Sequence, residues 1–147
     1  MPKLEQIYYD EIQRKDGLYV SAVVPNTDAA DAANYPEWFF IARHPCEVIW
    51  AAEIHGNASS ASPATLQLRK TTGTQDIVSG SRIEVTAWDL TGTANTVVEK
   101  IGNDFNDDAR QLKQGDRLGL YSPSTLTDLA HVCVTVYLKM IGQGDYR

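Results

Sequence analysis

Residues 112–138, LKQGDRLGLYSPSTLTDLAHVCVTVYL, decide the fold class. Near the end of the stretch Val132, Val134, Val136 and Leu138 fall at every second position, with Cys133, Thr135, Tyr137 and Lys139 in the alternate phase. Successive side chains of a strand point to opposite faces, so this alternation predicts a strand with one face in a core. Upstream, Gly115-Asp116 supplies turn chemistry ahead of Leu118 and Leu120, which predicts an earlier strand with both leucines inward. The stretch reads as strand, short connection, closing strand, and it carries no catalytic constellation. A closing strand of this kind normally pairs far upstream, which predicts a high contact order.

Working outward, short β-like runs alternate with clusters of Gly, Pro, Asn and Ser. Gly17 opens the run 18–24, which Pro25 stops, and residues 26–36 read as a loop. Residues 38–42 form a second run. In the third, 46–55, strict alternation places Val48, Trp50, Ala52 and Ile54 on a buried face and Glu47, Glu53 and His55 on the opposite one. Residues 56–63 are the most turn-like segment of the chain. Leu66 and Leu68 then alternate with Gln67 and Arg69. A polar loop is expected at 71–81, two further extended segments at 82–90 and 95–101, and an acidic loop at 102–109. No segment sustains a helical apolar period. The expectation is an all-β chain: a jelly-roll-like antiparallel β-sandwich of about eight strands over residues 17–141. An extended N-terminal arm, 1–16, precedes it and a polar tail, 142–147, follows.

A chain of 147 residues with 43% hydrophobic residues is long and apolar enough for one full core. Its net charge of −6, with Lys and Arg scattered, argues against nucleic acid as a partner. No stretch reaches the about 20 apolar residues of a membrane-spanning helix, so no membrane association is expected. Residues 1–16 carry Lys3, Glu5, Asp10, Glu11, Arg14, Lys15 and Asp16, which leaves no apolar core for a secretory signal. Cys46 and Cys133 accordingly read as buried free thiols.

Residue chemistry gives little support to catalysis. Asp104, Asn106 and Asp108 alternate like the start of a calcium loop, but Ala109 and Gly115 stand where its glycine and bidentate glutamate belong. His44, His55 and His131 fall at no metal-ligand spacing, so neither a metal nor a cofactor is predicted. Ser59, Ser60 and Ser62 lie in the turn-like segment, outside any nucleophile elbow. No phosphate-binding glycine motif occurs. Among the aromatics, Trp50 is expected in the core, whereas Trp38 and Trp88, beside Pro36 and Asp89, are expected at the surface as partner contacts.

The segments ATLQLRKTTGT (64–74), WDLTGTANTV (88–97) and 112–139 together resemble small jelly-roll virion proteins of tailed bacteriophages. Those proteins decorate or cement the capsid, or form head-fibre bases. The resemblance covers residues 46–140 and implies a non-enzymatic structural protein on the capsid exterior, assembled in the host cytoplasm. Its partner would be the major capsid protein, and it would form a homo-oligomer, a dimer or trimer. In that role the arm 1–16 would contribute Ile7, Tyr8, Tyr9 and Ile12 as anchors, alongside Trp38 and Trp88. The alternative is a head-fibre or tail-associated module binding a host-surface glycan through Trp38, Trp88 and the loops 26–36 and 57–63.

Overall fold

The alternation in the closing stretch is realised as a nine-residue strand whose Val132, Val134, Val136 and Leu138 are all buried. A computed structural model describes residues 17–25 and 35–141. The arm 1–16, with Ile7, Tyr8, Tyr9 and Ile12, the tail 142–147 and most of the loop 26–36 lie outside the described residues. Ten strand segments are present: β1 (Gly17–Val24), β2 (Tyr35–Ile41), β3 (Cys46–Ile54), β4 (Thr65–Thr71), β5 (Ser81–Arg82), β6 (Trp88–Asp89), β7 (Val98–Ile101), β8 (Gln111–Leu112), β9 (Arg117–Ser122) and β10 (Val132–Met140).

Every pairing is antiparallel. Sheet one runs β1-β10-β3-β7 and sheet two β2-β9-β4-β5, with β8 also on β3 and β6 also on β4. Because β5 and β6 lie along one strand, β4, they are two halves of a single edge strand. β7 and β8 are likewise two halves of the edge along β3. Ten segments therefore make eight ladder positions, and the chain crosses between sheets in the order of a jelly roll. The closing strand sits between β1 and β3, as high contact order requires.

The core lies between the sheets. Leu66 and Leu68 of β4 and Leu118 and Leu120 of β9 face Val48, Val134 and Val136, all fully buried. Replacing any of these leucines by alanine removes methylene burial and leaves a cavity, a cost of about 2–5 kcal/mol. Leu126 and Leu129 close one end of the sandwich. There the segment 56–63 is pinned: Ser60 N–H donates to the Thr127 carbonyl (2.9 Å), and the Ser60 hydroxyl donates to Asp128 Oδ2 (2.8 Å).

Two local departures from regular strand geometry shape the outside of the sandwich. The ladder between β3 and β10 shifts register between Tyr137 and Leu138, so that Tyr137 faces Trp50 while Leu138 faces Val48. The extra residue, Ile49, reverses the phase of the rest of β3. The other departure is at the interrupted edges. Residues 84–87, between β5 and β6, and 102–109, between β7 and β8, leave their sheets, and the two excursions meet. Val85 N–H donates to the Asp104 carbonyl and Asn106 N–H to the Ile83 carbonyl, both at 2.7 Å. They close that side of the sandwich like a clasp.

Candidate interaction face

The phase reversal in β3 corrects the expected facing of that strand. Ala51, Glu53 and His55 point inward and are buried, whereas Trp50 and Ile54 face out and are only half-buried. Strict alternation placed them oppositely because it had no means of counting the bulge. Trp88 also departs from expectation. It is 1% exposed, its indole N–H donates to the Val98 carbonyl (3.0 Å), and Lys100 lies over its ring (5.9 Å). As a core residue joining β6 to β7 it offers no surface to a partner. Trp38 does reach solvent, at 48% exposure, on the outer face of sheet two. Its indole N–H is held by Thr71 Oγ1 (3.0 Å) and Arg117 stacks over its ring (5.3 Å). The two tryptophans therefore do not form one site.

The residues that do come together lie on the outer face of sheet one. Register pairs Tyr19 with Tyr137, Tyr137 with Trp50, and Trp50 with Ile101. These four form a row that crosses the whole sheet from β1 to β7. Tyr19 and Ile101, at its ends, are 69% and 55% exposed. The ring centroids of Tyr19 and Tyr137 are 4.6 Å apart, tilted by 54°, and Tyr19 meets Trp50 edge-on at 6.2 Å and 82°. Beside this ridge runs a trough of smaller side chains: Ser21, Thr135, Ala52 and Glu99. Ser21 and Thr135 hydroxyls bond each other at 2.8 Å across it. A second ridge follows, of Val23 (66% exposed), Cys133 and Ile54. Within these rows Glu99 is the one charged side chain. Tyr19, Val23 and Ile101 are thus exposed together on one face of the sheet.

The buried polar groups read as structure. His55 Nδ1 and Glu53 Oε2 are 2.8 Å apart, and His55 Nε2 donates to the Gly92 carbonyl (3.0 Å). Burial raises the Glu53 pKa. For His55, burial pulls down, but the Gly92 carbonyl and Glu53 outweigh it and the pKa rises. Both ring nitrogens are engaged, so His55 presents no base to a substrate. Ser59 is not its partner, for its hydroxyl donates to the Thr127 carbonyl (2.9 Å). At the clasp, Glu84 Oε2 accepts the Leu68 N–H (2.9 Å) that β5 and β6 leave without a ladder partner, while Oε1 is unpartnered. Burial pushes its carboxyl up to about 8. Burial, reinforced by Asp116, pushes the Cys46 thiol up to about 11, which keeps it inert.

No protein family, curated protein or solved structure matches this chain. The face itself therefore carries the functional reading. Among the described residues no group of three His, Cys, Asp or Glu side chains converges to hold a metal ion. A groove of about 490 Å³ lined by Lys70, Asp108, Lys113 and Asp116 mixes both charges, and the Lys70 ammonium is already bonded to the Asp108 and Gln111 carbonyls. Tyr137 as an outward residue was legible from the alternation of β10. Trp50 was hidden by the bulge, and Tyr19 and Ile101 by the fact that only strand order makes them neighbours.

Proposed function

We propose that this chain is a non-enzymatic virion structural protein, a cement or decoration subunit that seats the outer face of sheet one on the major capsid protein lattice. The observation that carries the reading is the outward-facing ridge Tyr19–Tyr137–Trp50–Ile101, exposed at its two ends. Apolar and nearly uncharged, it belongs to a rigid sheet and is made for contact with another protein surface. The resemblance of residues 46–140 to jelly-roll proteins on phage capsid exteriors supports the same role. Repetition over a lattice multiplies weak single contacts, so a modest ridge suffices for firm attachment.

The glycan-binding alternative calls on Trp38 and Trp88 together with the loops 26–36 and 57–63. With Trp88 in the core and only Trp38 at the surface, its two tryptophans cannot share a sugar platform.

The test is co-sedimentation of the purified protein with heads that lack it, alongside its copy number in virions by mass spectrometry. Hundreds of copies per particle and binding that Ile101→Lys abolishes are expected. A protein that binds no heads, or is absent from particles, overturns the reading. Binding on a glycan array that Trp38→Ala removes would instead establish the fibre-type module.

A further inference from the structure

We infer that β1 is a self-association edge: two copies pair β1 to β1, antiparallel about a two-fold axis, and join their sheets one into a single continuous sheet. The sheet edges of this molecule are finished very differently. An unpaired edge strand presents a row of free N–H and C=O groups, and folded proteins guard such edges with charge, proline, bulges or cover. The β5/β6 and β7/β8 edges are broken into segments of two to four residues, and the excursions between them pair with each other at the clasp. The β2 edge carries Pro36, Glu37 and a register shift between Trp38 and Phe40. β1 has none of these. Its eight residues, GLYVSAVV, hold an unbroken register with β10, contain neither charge nor proline, and pair with no other described strand.

The chemistry of this edge selects its occupant. The chain carries a net charge of −6, so copies repel wherever acids face each other. Across β1 and β10 together the one charged residue is Lys139, so among the described residues no carboxylate of these two strands opposes the approach of two acidic copies. β1 also leaves apolar surface uncovered on both of its faces. Tyr19 and Val23 project outward, exposed, and the inward-phase Leu18 and Val20 are only half-buried. A strand added here must be apolar on both faces, uncharged and of similar length. β1 itself meets all three conditions, and a two-fold axis makes the pairing self-complementary. Alternate residues of β1 direct their backbone groups away from β10, so the pairing completes a ladder and repacks no core.

The β1 pairing and the capsid role fail independently, since a dimer that binds no heads leaves the pairing intact. The test is sedimentation velocity on the full chain up to hundreds of micromolar, with hydrogen exchange at the same concentrations. A dimer is expected, in which alternate β1 amides gain protection as concentration rises. The double variant Tyr19→Lys, Val23→Lys changes two exposed side chains beside the axis and is expected to weaken the dimer roughly tenfold or more, with unchanged melting. Ile101→Lys, at the far edge of the same face, is expected to leave the dimer intact. A chain that stays monomeric throughout overturns the inference. So does a dimer with unaltered β1 exchange, or one that Ile101→Lys dissociates, which would be packing face to face.

Discussion

The two outer faces of this sandwich are finished in opposite ways. Sheet two is roofed by its own chain. The segment 72–80 folds back over it, Ile77 is buried above Gly119, and two arginines fasten the roof. Arg69 stacks on Tyr121 (4.5 Å) and donates to the Val78 carbonyl, while Arg117 stacks on Trp38 and donates to the Thr71 hydroxyl (2.9 Å) and the Gly73 (2.8 Å) and Gln75 (3.1 Å) carbonyls. Sheet one has no described segment across its face, and Tyr19 and Ile101 stand in solvent at the ends of a row whose middle, Tyr137 and Trp50, is half-buried. Sequence hydrophobicity does not separate the two faces, since aromatic residues lie on both. The difference is that a segment of the chain covers the aromatics of one face, whereas those of the other pack only against each other, with no described segment above them.

The most damaging way to break the contrast is at Gly119. A Cβ there would collide with Ile77 Cδ1 and stand 2.8 Å from the Glu37 carbonyl oxygen. Gly119→Val is expected to lift the roof at a cost of about 3 kcal/mol, read by calorimetry, with new proteolytic cleavage within residues 72–80. A variant that melts like the parent would show that the roof carries little stability.

The clasp gives the next largest effect. Glu84 is neutral in the folded chain below about pH 8 but titrates at its ordinary 4.5 when unfolded. The folded state thus binds the extra proton between those values. Stability from this group is complete below pH 4.5, falls as pH rises to about 8, by at most about 1.4 kcal/mol per unit, and is level above. Raised pKa values at Glu53 and His55 act in the same direction. Glu84→Gln keeps an acceptor for Leu68 N–H and cannot ionise, so its stability profile should be flatter. It should melt below the parent near pH 5, where its buried amide N–H groups lack a partner, and above it near pH 9. Parallel profiles across that range would refute the assignment.

Arg117→Ala should be milder, about 1–2 kcal/mol, because the guanidinium is only partly buried and Ile77 remains in place. Fluorescence of Trp38 would report its freed indole; an unchanged spectrum would mean the stacking is incidental. The smallest stability effect belongs to sheet one. Ile101→Lys should alter stability by within about 0.5 kcal/mol while abolishing head binding. A large loss of stability there would mean that the bare face is structural after all.

The strand class and the inward phase of β4, β9 and β10 were legible in the sequence, because each rests on a two-residue period that nothing interrupts. The two edge positions, which excursions break, read as continuous runs, β8 falls in no expected strand, and β2 begins at Tyr35 inside the expected loop 26–36. The faces were less legible. In β3 one bulged residue reversed Trp50, Glu53 and His55, and a bulge leaves no mark on an alternating pattern. Trp88 read as exposed because Asp89 follows it, yet Asp89 turns back to cap Thr91, and the indole goes to the core. The row Tyr19–Tyr137–Trp50–Ile101 draws one residue from each of four strands, and only their spatial order reveals it.

The position of β10 carries a consequence for biogenesis. It lies between β1 and β3, so the earliest strand described has no neighbour in its sheet until the latest has been made. Translation that stops short of Val132 yields a chain with β1 unpaired, one edge of β3 bare and the β10 side of the core open to water. Such a product is a substrate for proteases before it can reach any assembly, so the topology itself acts as an inspection step that admits only chains translated through their final strand.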